Sequence, residues 1–320
     1  MALEKIRRLG SARVGISLVL ALMIIPAAVR VSPAKPPPPP STGSFAKAYS
    51  VPYSYSLAES VSQASSGGFA VGGLCSEAAA TTPNCNGNAT VLRLDSSGNI
   101  QSQTQYSYGI GPQSTDLTIL KATSDGGAIF AGQPQSGCPA QNLNSCTAIV
   151  KVDSVGKVQW ANDLLFATNA TPYTHPSTST FDIQQTNDGG FVLVGYAIAP
   201  SESYNPWITK LSSAGQIQWT RVFVDSSSQY SSAQSVRQTA DGGYLVGGAV
   251  SYAVTSSYTE SEIAVFKLDS TGALVWQRYY TAGVDAYFQS LALTSDGGAI
   301  VSGTAAQTLH PPRTHPTHFC

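Results

Sequence analysis

Thr123-Ser-Asp-Gly-Gly-Ala-Ile-Phe-Ala-Gly132 reads as a tight turn followed by a short apolar strand. Asp-Gly-Gly supplies the positive φ that hairpin turns demand, and the flanking residues suit a half-buried strand. The phrase returns as Thr186-Asn-Asp-Gly-Gly-Phe-Val-Leu-Val-Gly195, as Thr239-Ala-Asp-Gly-Gly-Tyr-Leu-Val-Gly-Gly248 and as Thr294-Ser-Asp-Gly-Gly-Ala-Ile-Val-Ser-Gly303. A weaker copy, Ser65-Ser-Gly-Gly-Phe-Ala-Val-Gly-Gly73, lacks the Asp. Self-similarity at a fixed period marks a repeat architecture.

A second phrase alternates with the first. It reads Val91-Leu-Arg-Leu-Asp-Ser-Ser-Gly98, Ile149-Val-Lys-Val-Asp-Ser-Val-Gly156, Ile208-Thr-Lys-Leu-Ser-Ser-Ala-Gly215 and Val265-Phe-Lys-Leu-Asp-Ser-Thr-Gly272. The closing glycines are 58, 59 and 57 residues apart. Trp160, Trp219 and Trp276 each follow such a glycine by four residues, and Ser102 takes that place in the first copy. Each phrase is a hairpin, so a unit holds four strands, A to D, in about 57 residues. No stretch after residue 44 keeps a helical period. The fold class is therefore all-β: a β-propeller of four-stranded antiparallel blades, about five of them, the last incomplete. The variable lengths fall in loops such as Cys75–Asn88 and Ala197–Asn205.

Outside the repeats the chain divides cleanly. Residues 1–30 carry Lys5, Arg7, Arg8 and Arg13, then the apolar run Val14–Ile25, and read as a signal peptide. Twelve apolar residues are short of the ~20 that span a bilayer. No Cys stands near residues 20–35 to carry a lipid. Residues 31–44, with Pro36 to Pro40 unbroken, are a stiff linker. Residues 45–304 hold the repeats and residues 305–320 an irregular His/Pro-rich tail. The expected location is secreted, periplasmic or cell-surface, with membrane contact only where the N-terminal segment stays uncleaved.

A–B hairpins occur five times and C–D hairpins four times. Phe45 is expected to begin a lone D strand that completes the last blade. The last blade then needs a C strand after Gly303, where Pro311, Pro312 and Pro316 forbid an interior strand. Either the fifth blade is defective or the chain stops partway through a larger propeller. An unpaired edge of this kind invites pairing with another chain.

Of the 320 residues only 11% are charged and 42% are hydrophobic, which excludes a disordered chain. A formal net charge of -1 provides no field for nucleic acid. Over residues 45–304 the unit resembles exported bacterial β-propeller repeats of the Lys-Leu-Asp-x-x-Gly, Trp, Asp-Gly-Gly type, the SBBP-like repeats. Leu268-Asp-Ser-Thr-Gly-Ala-Leu-Val-Trp276 is similar to the tryptophan-docking phrase of quinoprotein propellers. That likeness implies that Trp160, Trp219 and Trp276 staple one blade to the next. It brings no quinone site, because no matching set of cofactor or calcium ligands accompanies it.

Five cysteines are present. Cys75 with Cys85, and Cys138 with Cys146, bracket equivalent B–C loops and read as local disulfides in an oxidising compartment. Each closes a small loop, for about 2–3 kcal/mol by chain entropy. A four-thiolate metal site is the competing reading. Asp125, Asp188, Asp241 and Asp296 recur in the A–B turns, and Asp95, Asp153 and Asp269 in the C–D turns. Calcium is the tempting ligand, yet no Asp-x-Asp-x-Asp ladder is present, and the plainer role is capping the turn. Ser212, which keeps capping and loses metal affinity, fits that role. Arg93, Lys151, Lys210 and Lys267 share one register of strand C, with stems buried and heads paired to a turn carboxylate. A ring of positive charge lining a channel is the sharper alternative.

His310, His315, His318 and Cys320 sit in the tail, and His175 stands alone in a loop. Asn88-Ala-Thr and Asn169-Ala-Thr match glycosylation acceptors. Tyr53, Tyr55, Tyr106, Tyr108, Tyr173, Tyr204, Tyr252 and Tyr258 crowd the inter-blade loops, and tyrosine favours interfaces and sugar surfaces. No catalytic, cofactor-binding or metal-binding residues can be assembled. The expected function is an exported, non-catalytic propeller presenting loops to a protein or carbohydrate. The alternatives are a propeller enzyme (hydrolase, lyase or quinoprotein) with a site at the central channel, and a truncated, non-functional copy.

Overall fold

The computed structural model describes residues 16–20, 47–49, 55–76, 86–106, 115–134, 147–164, 178–198, 203–223, 228–255, 258–281 and 285–306. They contain strands and no helix. After β1 (Ile16–Leu20), blade 1 comprises β2 (Tyr55–Gln63), β3 (Phe69–Ser76), β4 (Asn86–Leu94) and β5 (Ile100–Tyr106). Blade 2 comprises β6 (Thr115–Ala122), β7 (Ala128–Pro134), β8 (Thr147–Val152) and β9 (Val158–Leu164). Blade 3 comprises β10 (Thr178–Gln185), β11 (Phe191–Ile198), β12 (Tyr204–Leu211) and β13 (Ile217–Val222). Blade 4 comprises β14 (Ser228–Gln238), β15 (Tyr244–Thr255), β16 (Tyr258–Leu268) and β17 (Leu274–Tyr280). A terminal half-blade is made of β18 (Asp285–Leu293) and β19 (Ala299–Ala306). Each blade is an antiparallel meander, and the whole is a β-propeller. One parallel pair, Tyr204 opposite Tyr230, joins blade 3 to blade 4.

The turns follow from local chemistry. The nine turn glycines have φ between 74° and 87°, a region closed to most side chains. The second glycine of the A–B turn answers to packing: a Cβ on Gly190 would strike the Leu211 carbonyl oxygen of strand C. Each A strand carries a β-bulge at the equivalent place, between Ala58/Ser60, Leu117/Ile119, Thr180/Asp182, Ala233/Ser235 and Phe288/Ser290, and β14 has a second register shift between Ser228/Tyr230. A bulge bends the strand and re-aims one side chain.

The A strands of successive blades pack on one another and so line the hub. Substantial packing between elements joins only consecutive blades among the described residues. The core lies between blades rather than within them. Ile129, Ile149 and Leu164 of blade 2 meet Ile183, Phe191 and Trp207 of blade 3. Val192 and Ile208 of blade 3 meet Val236, Tyr244 and Phe266 of blade 4. The last interface is thinner: Leu245 and Val265 meet Phe288 and Leu291.

The lone D strand expected from Phe45 differs in the structure. Residues 47–49 form no strand, yet they take the docking position of a preceding D strand. The Tyr49 hydroxyl donates to the Gly98 carbonyl at 2.7 Å, and Lys47 Nζ donates to Asn99 Oδ1 at 2.7 Å. The outer edge of β19 is instead paired by β1, Leu20 opposite Val301 through Ile16 opposite Ala305. β1 falls within the apolar run Val14–Ile25. The tail after residue 306, with His310, His315, His318 and Cys320, lies outside the described residues, as does His175.

Candidate functional site

The A–B and C–D turns share one end of the propeller, and the D–A and B–C loops share the other. At the turn end the recurring aspartates are engaged. Asp125 Oδ1 accepts from Thr123 Oγ1 and from Gly127 N, and Asp188 Oδ1 accepts from Thr186 Oγ1 and Gly190 N. Lys151, Lys210 and Lys267 reach these turns from strand C, each with an Nζ–Oδ2 distance of 2.8 Å, to Asp125, Asp188 and Asp241 respectively. Lys151 and Lys210 are 3% exposed, and their spare protons go to the Val152 and Leu211 carbonyls. Burial pushes the Asp125 and Asp188 carboxyls up. The bonds from lysine, threonine and glycine outweigh it and hold both at about 2. Asp241 is held down chiefly by Lys267, and Asp296 by Thr294. The ammonium groups thus face turn carboxylates and form no open ring of charge.

Blade 1 breaks the pattern twice, and the two breaks match. Its A–B turn lacks the Asp, and strand C carries Arg93 in place of Lys. The longer guanidinium reaches the next blade instead, donating to the carbonyls of Gly126 and Asp153 at 2.8 Å each.

The tryptophans sit on strand D and touch the C–D turn of the following blade. Trp160 Nε1 donates to the Ser213 carbonyl at 3.0 Å, and a Cβ on Gly215 would come within 2.7 Å of its ring. Trp219 lies against Gly272 in the same way. Between blades 1 and 2, where Ser102 replaces the indole, the Tyr106 hydroxyl donates to the Gly156 carbonyl at 2.8 Å. Trp276 meets no such turn among the described residues and is 37% exposed.

Two inter-blade devices were not among the repeat positions read from the sequence. Asp182, buried on the A strand of blade 3, ties three blades together at the hub. It lies 2.5 Å from Arg237 Nη1 of blade 4 and 3.4 Å from Lys121 Nζ of blade 2, and accepts from Ser235 Oγ and Val236 N. Gln185 Oε1 accepts from Ser124 N, and Gln238 Oε1 from Asn187 N, so each glutamine holds the preceding blade's turn. Leu293 takes that place in the half-blade.

Toward the loop end a row of aromatic rings crosses blade 3 and passes to blade 4. Phe181, Tyr196, Tyr204 and Tyr230 follow one another with centroid separations of 5.6, 4.8 and 5.0 Å. Phe181 is the extra residue of the β10 bulge: Thr180 faces Gly195 and Asp182 faces Val194, so Phe181 has nothing opposite. It is 40% exposed, and Tyr230 is 53% exposed. Partial burial, followed by the nearby Tyr204, raises the Tyr196 phenol, while a hydrogen bond with Ser179 opposes the rise. Of the tyrosines singled out in the sequence only Tyr204 belongs to this row. Tyr252 is buried, and Tyr53, Tyr108 and Tyr173 lie outside the described residues. Phe181 had a legible signal in hindsight, as the one aromatic among the bulged residues Glu59, Thr118, Phe181, Gln234 and Gln289.

Cys85, Cys138 and Cys146 lie outside the described residues, and Cys75 is described only as a β3 position opposite Ser56 and Asn88. Among the described residues no group of three or more His, Cys, Asp or Glu side chains comes together.

No family model and no curated protein matches the chain. Among solved structures, a protein of unknown function from Bacteroides caccae aligns at 12% identity and a TM-score of 0.29, covering 71% of this chain and 83% of its own. A protein from Lactobacillus plantarum aligns at 12% identity and a TM-score of 0.40, covering 78% and 71%. An apocarotenoid oxygenase from Synechocystis aligns at 12% identity and a TM-score of 0.39, covering 73% and 51%. Likenesses at this level say nothing about what the chain binds.

Proposed function

We propose that this chain is an exported, non-catalytic β-propeller of the bacterial Lys-Leu-Asp-x-x-Gly repeat type, which binds a carbohydrate chain, or a protein surface, at its loop end. The row Phe181–Tyr196–Tyr204–Tyr230 carries the reading. Aromatic faces with polar tips give contact area at low entropic cost, and the steps along the row are comparable with the length of a hexose ring. The repeated aspartates and lysines support it from the other side, since they are consumed in holding turns. Export rests on the basic and apolar start of the chain, and disulfides Cys75–Cys85 and Cys138–Cys146 belong with it.

Affinity electrophoresis against a panel of soluble polysaccharides tests the proposal. The full chain is expected to be retarded by at least one of them. Phe181→Ala and Tyr230→Ala, at exposed rings that cost the fold little, are expected to weaken that binding about tenfold, near 1.4 kcal/mol. No retardation by any polysaccharide, together with no shape-specific protein partner lost in both variants, would remove the proposed site.

A further inference from the structure

We infer that the ligand of the aromatic row is an uncharged polysaccharide, and that the loop end turns acidic ones away. This rests on the loop-end site proposed above and narrows what it takes. A strand's period of two puts Tyr196 on the face of Val192 and Val194, and Tyr204 on the face of Ile208. Those three aliphatic residues pack on blade 4. The two rings therefore continue the interface between blades 3 and 4 outward to the loop end, where Tyr230 of blade 4 stands opposite Tyr204. Phe181 ends the row on the A strand of blade 3. The polar groups set around these rings carry no charge. Ser179 stands opposite Tyr196 and hydrogen-bonds with its phenol. Thr118 and Gln234 hold the bulge position on the A strands to either side of Phe181. Gln234 Nε2 donates to Ser232 Oγ at 2.9 Å. Hydroxyl and amide groups beside aromatic faces suit sugar hydroxyls, and none of them supplies a counter-charge for a carboxylate or a sulfate.

The cations are sorted to other places. Ten Lys and Arg residues lie between residues 45 and 304. Lys151, Lys210 and Lys267 are held by turn carboxylates. Arg93 and Arg221 donate to turn carbonyls of the next blade, at Gly126 and Thr271. Lys47 bonds to Asn99 of a C–D turn, Lys157 belongs to a C–D turn, and Arg278 lies over the Trp276 ring. Lys121 and Arg237 are on A strands, and both face the buried carboxylate of Asp182, the residue after Phe181. No Lys or Arg occurs in any D–A or B–C loop of the sequence, whereas Glu77, Glu202 and Asp225 do. Asp163, Glu260 and Asp285 stand close to where their strands meet those loops. A surface with carboxylates and no cations repels an anionic chain at low salt and is indifferent to an uncharged one.

The test uses one polymer backbone in two forms: a neutral soluble polysaccharide and its carboxymethylated counterpart. Each is titrated calorimetrically into the full chain, over the same panel of backbones, at low salt and in ~0.5 M NaCl, where exposed charges are screened within a few ångströms. At least one neutral form is expected to bind equally at both salt levels, and to bind about tenfold more weakly to Phe181→Ala and to Tyr230→Ala. Its carboxymethylated form is expected to bind at least tenfold more weakly than the neutral form at low salt, and to recover most of that loss in high salt. Equal or tighter binding of a carboxymethylated form at low salt, or a weakness that salt leaves unchanged, would overturn the inference and leave the row standing as a glycan site. Binding of neither form of any backbone would remove the site, and the inference with it.

Discussion

Blade 3 and the terminal half-blade are built from the same phrases and live in different surroundings. In blade 3 the turn carboxylate Asp188 meets Lys210, the A strand residue Asp182 is clasped by Arg237 and Lys121, and the strand D indole Trp219 lies under Gly272. Among the described residues Asp296 of the half-blade is bonded only within its own turn, Ser290 at the Asp182 position is exposed, and Trp276 at the end of blade 4 lies under no turn glycine and has only the Arg278 guanidinium over its ring. A repeat residue has its full energetic role only when the next hairpin is present. In a stacked array stability is close to a sum of unit and nearest-neighbour terms, so a missing neighbour removes a whole interface term.

The comparison breaks most readily at the hub. Asp182→Ala leaves Arg237 and Lys121 partly buried without their counter-charge and is expected to cost about 3–5 kcal/mol. Ser290→Ala, at the matching position, is expected to stay within about 0.5 kcal/mol. Urea unfolding of both variants checks this, and equal costs would sink the idea that the hub clasp is specific to blade 3. Next in size are the indoles. Trp219→Ala is expected to lower stability by about 3 kcal/mol, as for a well-packed aromatic, and Trp276→Ala by under about 1 kcal/mol. A large loss at Trp276 would show that something already covers it.

The smallest effect sharpens the turn comparison. Asp125 and Asp188 have folded pKa values near 2, below the ordinary 3.8, so the stability they contribute is present above pH ~4 and is lost as pH falls toward 2. The carboxylates are about half-exposed, so screening keeps this modest. The urea midpoint of the wild type is expected to fall between pH 4 and pH 2. The triple variant Asp125→Asn, Asp188→Asn, Asp241→Asn should lose much of that slope, and Asp296→Asn should keep most of it.

Some of this was legible before any coordinates. Turns are closed by residues a few positions apart, as in Gly126 N to the Thr123 carbonyl, so Asp-Gly-Gly announces itself. The register of Lys151, Lys210 and Lys267 also announces a shared role, because a strand's period of two places equal residues on equal faces. The aromatic row was hidden for the opposite reason. A bulge at Phe181 changes which face a residue takes, and Tyr230 belongs to the next blade, 26 residues beyond Tyr204. The Gln185 and Gln238 clasps and the Asp182 cluster join residues more than 50 apart, and a side chain that bonds to the preceding blade is not announced by the local turn and strand phrases.

From the amino-acid order alone come the period, the hairpins and the all-β propeller, because each is set by short-range turn chemistry and strand alternation. The tertiary structure alone decides which carboxylates are neutralised, which indoles are covered and which rings line up at the loop end. Those depend on the neighbouring blade, and a residue carries no local record of whether that neighbour stands beside it.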